Sequence, residues 1–157
     1  MKADSQNTKI DLRSDEYFMR QALEQACMAY DHGEVPIGAV IVSKDRIIGK
    51  GYNQTEALQD VTAHAEMIAL TAAQNALGAK VLPDCTLYVT IEPCVMCAGA
   101  IRWARLKRVV WGAPEAKCGF VQFNPEILHP KTEVTKGVLK DDAAQLMMDF
   151  FSARRRS

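Results

Sequence analysis

One passage constrains this chain more than any other: "CTLYVTIEPCVMCAGAIRWARLKRVVWG", residues 85–112. It opens on "CTLYVTI", rich in β-branched and aromatic residues, the composition of a buried strand. Pro93 then stands where a helix begins, because its fixed φ and missing N–H suit a first turn. "PCVMCAGAIRWARL" reads as that helix and "KRVVWG" as the next short strand. Upstream, "IGAVIVS" and "RIIGKGY" read as strands joined by a short turn at Lys44 and Asp45, a hairpin. A hairpin followed by helical crossovers predicts an α/β fold: a mixed central sheet of about five strands with helices on both faces.

The remaining segments fit that plan. Ser14 caps a predicted helix whose first turn carries Asp15 and Glu16, favourable at the positive end of the helix dipole. Met19, Ala22, Leu23, Ala26 and Tyr30 recur at helical spacing, and Gly33 suits the stop. Residues 63–77 form a helix ending at Gly78, with Thr62 as its cap. A loop is expected from Ala113 to about Pro130, then a strand at "TEVTKGV". A last helix starts near Asp141, with Ala144, Leu146, Met147, Phe150 and Phe151 as its apolar set. Residues 1–13 are expected to be a flexible tail and 14–157 a single domain, a length able to bury a core.

Composition limits the function classes. Lys+Arg and Asp+Glu are equal at 19 each, which argues against a dedicated nucleic-acid binder. Local basic patches remain, at Arg102, Arg105, Lys107 and Arg108 and at Arg154, Arg155 and Arg156; each is equally a solvated surface. No apolar run approaches the roughly 18 residues of a membrane span. The opening residues lack the apolar stretch of a signal peptide, so a cytoplasmic protein with reduced thiols is expected.

Chemistry enters with Cys94 and Cys97, a C-x-x-C. It has three readings: a redox pair at a helix start, half of a four-ligand structural zinc site, or part of a three-ligand catalytic zinc site with an open position. No second C-x-x-C exists among the 5 cysteines. Cys85 starts the strand leading to Cys94, about 20 Å away at about 3.3 Å per residue, and does not easily reach the same metal. Cys27 is expected in the core as a small apolar residue; Cys118 lies in a loop. These positions count against a four-cysteine site. His64, in "TAHAEMIAL", supplies a third ligand, although a lone histidine is more often structural. His64 and Glu66 would point apart in mid-helix, about 200° around the axis, but not at a helix N-terminus. Cys94 and Cys97 also begin a helix, where the dipole favours thiolates. Two facing helix starts would gather His, Cys and Cys, leaving Glu66 outside the metal shell as a proton carrier. As an isolated residue, Glu66 is merely a first-turn carboxylate facing the dipole.

H-x-E followed by P-C-x-x-C is the pattern of zinc nucleobase deaminases. "GEVPIGAVIV", "TAHAEMIAL", "LYVTIEPCVMCAGAI", "RVVWGAPEAKCG" and the closing "FF" helix extend the match. From about Asp15 to about Arg156 the chain resembles the bacterial tRNA-specific adenosine deaminase family, within the cytidine deaminase-like zinc deaminase superfamily. The resemblance implies a three-layer α/β/α sandwich, a homodimer and one Zn2+ per subunit. It implies hydrolytic conversion of the wobble adenosine in a tRNA anticodon stem-loop to inosine. It makes His64, Cys94 and Cys97 the zinc ligands and Glu66 the catalytic proton shuttle. Asn53, in "GYN", matches the asparagine that hydrogen-bonds the flipped-out base, and Val35 and Pro93 match positions near the pocket. Arg154, Arg155 and Arg156 are candidate contacts to the RNA backbone. One segment departs from the pattern. Bacterial members carry a Gly-Ser-Leu and an Asn-His segment after the "GA…AK" stretch, whereas residues 118–138, "CGFVQFNPEILHPKTEVTKGV", carry neither and are shorter.

Two rival functions stand beside this one. A deaminase of a free base or nucleoside (guanine, cytosine or cytidine) keeps the chemistry and changes the substrate; near-neutral charge and residues 118–138 favour it. A zinc-stabilised RNA-binding or partner subunit without activity has no use for Glu66.

Overall fold

The chain's computed structural model describes residues 14–155. The tail at 1–13 and Arg156 lie outside the described residues. Helix α1 (Asp15–Asp31) starts as expected, with Ser14 Oγ accepting from Tyr17 N at 3.2 Å. It stops at Gly33, whose φ of +74° is left-handed. Strands β1 (Gly38–Ser43) and β2 (Arg46–Tyr52) form the hairpin, with Lys44 and Asp45 at φ 50° and 61° in the tight turn. A short helix α2 (Thr55–Leu58) precedes α3 (Ala65–Leu77). Then come β3 (Cys85–Ile91), α4 (Val95–Ala104), β4 (Arg108–Ala113), the short α5 (Phe120–Phe123), β5 (Glu133–Lys136) and α6 (Lys140–Arg155).

The five strands lie in the order β2-β1-β3-β4-β5. β1 is antiparallel to β2 and β3, whereas β3, β4 and β5 run parallel. The period of two along each strand divides the core. Ala39, Ile41, Leu87, Val89, Val109 and Trp111 pack with residues of α3 and α4, including Ala65, Ala69, Ala98 and Ile101. Val40, Val42, Tyr88 and Val110 meet Phe18, Met19 and Ala22 of α1 on the other face. Ile91 and Ala113 meet Ala143 of α6. This is the α/β/α sandwich, and it brings the starts of α3 and α4 together beyond the C-terminal end of the central strand β3.

Close packing sets the height of α3 over β2. A Cβ added at Gly51 would lie 2.4 Å from the Ala65 carbonyl oxygen, and one at Gly49 would lie 2.5 Å from that of Ala69. Glycines facing alanines let the helix backbone rest almost directly on the strand.

Several expectations change. Cys27 is exposed, not a core residue. In α6 the buried residues are Ala143 and Phe150, while Phe151 is 41% exposed. The stretch 113–130 is not all loop, since it contains α5 and buries Phe120 and Leu128. The basic cluster divides: Arg102 Nη1 donates to the carbonyls of Ile127 at 3.0 Å and Leu128 at 3.4 Å, and Arg108 pairs with Asp15. Arg105 and Lys107 stay exposed.

Candidate active site and metal centre

Thr62 does not cap α3, because its N–H and hydroxyl both donate to Asp60 Oδ1, at 2.8 and 2.7 Å. His64 is itself the N-cap, on extended backbone (φ −77°, ψ 154°) just outside the helix. This removes the rotational conflict with Glu66, which lies in the first turn. Cys94 holds the equivalent place on α4 (φ −75°, ψ 173°), with Cys97 inside the first turn. Neither side chain makes the usual N-cap hydrogen bond to its own helix. Each forgoes a cap worth about 1 kcal/mol and turns toward the other instead.

His64 Nδ1 lies 3.6 Å from Cys94 Sγ and 3.5 Å from Cys97 Sγ. The three donor atoms all fall within 4.8 Å of one another. For a tetrahedral zinc with Zn–N near 2.05 Å and Zn–S near 2.3 Å, the N···S separation is roughly 3.6 Å. Spacing and donor types both fit the ion. The thiols are already polarised: Cys94 is driven down to about 4, first by the hydrogen bond from Cys97 and then by that with His64. The same contact with Cys94, together with burial, pushes Cys97 up. Contact with Cys94 also raises His64.

Glu66 is 4% exposed, and burial pushes its carboxyl up to about 7. A bound dication pulls such a value back down, so the group sits where it can both take and return a proton near neutral pH.

A cavity of about 250 Å³ opens onto these groups. His64, Glu66 and Cys94 line it with Val35, Asn53 and Cys118. It is smaller than the roughly 300–1,000 Å³ of sites for drug-sized ligands, a scale that suits one planar ring. Asn53 is 7% exposed, and its Nδ2 donates to the Val35 carbonyl at 3.4 Å. Its Oδ1 is the one buried side-chain N or O atom, among the described residues, with no hydrogen-bond partner. Pro93 is buried but is not among the lining residues; its carbonyl accepts from Phe120 N at 2.9 Å. Arg154 and Arg155 line a separate groove of about 720 Å³ beside the cavity. Arg154 also lies over the Phe150 ring, 4.7 Å from its centroid.

Two buried glutamates escaped the sequence analysis. Glu34, 2% exposed, accepts from Glu56 N at 3.1 Å and Ala57 N at 2.7 Å. Glu92 holds a loop on the other side of the cavity through backbone N–H groups. Their signal is a carboxylate inside an otherwise apolar run, "GEVPIGAVIV" or "CTLYVTIEPC", a place where glutamate needs a partner.

Known proteins match this architecture. Residues 12–113 match the cytidine and deoxycytidylate deaminase zinc-binding region. The chain is 46% identical to the tRNA-specific adenosine deaminase of Haemophilus influenzae, over 94% of this chain and 88% of that protein. It is 44% identical to the chloroplastic tRNA(adenine(34)) deaminase of Arabidopsis thaliana, over 89% of this chain but only 12% of that longer protein. A structure from studies of A-to-I editing by tRNA:A34 deaminases superposes with a TM-score of 0.78 at 42% identity, covering 83% of this chain and 98% of that one. A guanine deaminase from Bacillus subtilis is also 42% identical, with a TM-score of 0.63 over 73% of this chain and 77% of its own. With its sheet order, its facing helix starts and these likenesses, the chain belongs to the cytidine and deoxycytidylate deaminase zinc-binding family, and within it to the tRNA-specific adenosine deaminases.

Proposed function

We propose that the protein converts adenosine at the wobble position of a tRNA anticodon to inosine by zinc-dependent hydrolysis. The observation that carries the chemistry is the His64–Cys94–Cys97 cluster beside the buried Glu66, at the mouth of a cavity sized for one base. The relatives named above supply the substrate.

His64, Cys94 and Cys97 would hold the ion. Zn2+ there supplies the acidification of a water molecule, from a pKa of about 15.7 toward about 7. In the reaction, oxygen from water bonds to C6 of the purine, the bond from C6 to its exocyclic amino nitrogen breaks to release ammonia, and the second water proton ends on the adjacent ring nitrogen. Glu66 takes a proton from the water and delivers it to the departing nitrogen. Asn53 offers its unpartnered oxygen to the base, and Val35 packs beside it. Pro93 acts indirectly, through its bond to Phe120. Deamination needs the base out of its stack, which a single-stranded loop makes easy. Arg154 and Arg155, and Arg156 beyond them, hold the RNA backbone. A homodimer belongs to the same reading: α4 presents Val95, Met96 and Trp103 to solvent, Trp103 at 82% exposure, an apolar face of the kind that marks interfaces. So does a cytoplasmic location, where its RNA is found. No described helix is long and apolar enough to cross a membrane.

The likeness to a guanine deaminase and the small cavity favour a second reading, deamination of a free base. One assay separates the two. A short stem-loop with adenosine at the wobble position should be deaminated far faster than adenosine, cytidine or guanine, because flanking nucleotides add binding energy that a lone base lacks. Guanine or cytidine turnover equal to that of the stem-loop would establish the second reading instead.

A further inference from the structure

Glu92 directly follows the buried strand β3, is 9% exposed and lines the cavity. Its carboxyl oxygens hold the loop and the helix that follows it: Oε1 accepts from Glu115 N at 3.2 Å and Oε2 from Val121 N, in the first turn of α5, at 3.1 Å. The same loop is tied to the strand end by Phe120 N donating to the Pro93 carbonyl and by a bridge between Cys94 and Gly119. Gly119 has φ −61° and ψ 140°, angles open to any residue. Space is what demands glycine. A Cβ there would lie 2.3 Å from Glu92 Oε2 and 2.6 Å from the Glu115 carbonyl oxygen. The loop is packed directly onto the carboxyl group.

This loop is a wall with two sides. Glu115 and Cys118 line the cavity, while Pro114, Glu115, Ala116 and Lys117 line the groove that runs to Arg154 and Arg155. From Pro114 to Cys118 it has neither helix nor strand. Inside it, Glu115 Oε1 accepts from Lys117 N at 2.8 Å and the Glu115 carbonyl from Gly119 N at 3.1 Å; its placement against the strand depends on anchors from outside, and Glu92 supplies two of them.

We propose that Glu92 is a positioning residue for substrate selection. It fixes the wall between cavity and groove, and so sets how well a base in the cavity and the chain attached to it are held together. This rests on the tRNA deaminase reading above. Glu92 acts through the loop and does not touch the reacting atoms.

Two variants test it. Glu92→Gln keeps the size but turns one acceptor into a donor that faces a backbone N–H. Gly119→Ala pushes the wall away from the other side, so either variant tests the idea if its fellow fails to fold. Each should raise KM for the wobble-adenosine stem-loop by about ten-fold, the scale of one or two lost hydrogen bonds. Each should change kcat by less than about three-fold and keep zinc bound. The double variant should be no worse than the worse single one, since both break the same contact. Hydrogen exchange should speed up at the Glu115 and Val121 amides and stay unchanged in Ala65–Leu77. An unmoved KM, a fall in kcat alone, or multiplied effects in the double variant would overturn the proposal. If the unaltered protein leaves the stem-loop untouched, the functional reading fails. Exchange then decides the anchoring by itself, and unchanged Glu115 and Val121 amides would refute it.

Discussion

Where β4 begins, Asp15 receives two hydrogen bonds from Arg108, at 2.8 and 2.6 Å, and a third from Tyr88 of β3 at 2.8 Å. Arg108 Nη2 also donates to Thr135 Oγ1 at 2.9 Å, so one clasp joins α1 to three strands. The other end of the same strands looks different. Asn53 Oδ1 has no partner, Glu66 is buried with its proton affinity raised, and two helix caps make no side-chain capping bond. Where polar groups satisfy one another they hold the fold; where they are left wanting they await a substrate or an ion. That contrast predicts which variants lose stability and which lose activity.

The largest effect is expected at Glu66. Glu66→Gln should lower kcat by about 10²–10⁴ or more, the usual worth of general acid–base work. Zinc should stay bound, because Glu66 lies outside the ligand set, and the melting temperature should hold or rise, since a buried carboxyl is costly. Turnover by single-turnover kinetics and zinc by metal analysis give the answer, and near-normal turnover would remove Glu66 from the reaction.

Asn53→Ala comes next. Loss of its contact to the base should cut kcat/KM by about 10–100-fold, the cost of an unpaired buried partner. It should cost the free protein no more than the long 3.4 Å bond from Nδ2 to the Val35 carbonyl, about 1 kcal/mol at most, because Oδ1 bonds to nothing. A clear drop in melting temperature would break the contrast, by showing that this end also holds the fold.

The smallest effect belongs to the clasp. Arg108, chiefly through its hydrogen bonds, holds the Asp15 carboxyl below its ordinary 3.8. A depressed carboxylate stabilises the fold above its unfolded pKa and loses that contribution as pH falls through the folded value. Asp15→Asn should therefore cost about 1 kcal/mol at neutral pH, about 3 °C in melting temperature. Arg108 and Asp15 are 24% and 32% exposed, so solvent screening keeps the figure low. The gap between the two proteins should narrow below about pH 4 and activity at neutral pH should be unchanged; a gap that persists at low pH would exclude the ionised pair as its source.

Much of this was legible in the sequence because the signals are local. "CTLYVTI" is β3 residue for residue, and the Lys44–Asp45 turn is where the hairpin reverses. H-x-E and P-C-x-x-C were legible as chemistry because both stand at helix starts. What stayed hidden depends on distant partners. Glu92 acquires its meaning from Glu115 and Val121, and Arg108 from Asp15, each far along the chain. Thr62 misled for a related reason: a threonine before a helix is a good cap, but here Asp60 takes its hydroxyl and leaves the cap to His64. The short helices α2 and α5 are too brief to leave a periodic trace.

The seam of Gly49 and Gly51 under α3 can be seen as a fulcrum. A helix of 13 residues is a rod about 20 Å long, and a tilt of its far end would normally swing its near end. Here the tightest approach, Gly51 against Ala65, lies beside His64, with Gly49 against Ala69 one turn further along. The load sits next to the pivot. A tilt at Leu77 and Gly78 would reach His64 with almost no lever arm, so the packing favours a fixed distance between the cap residue and two cysteines on another helix.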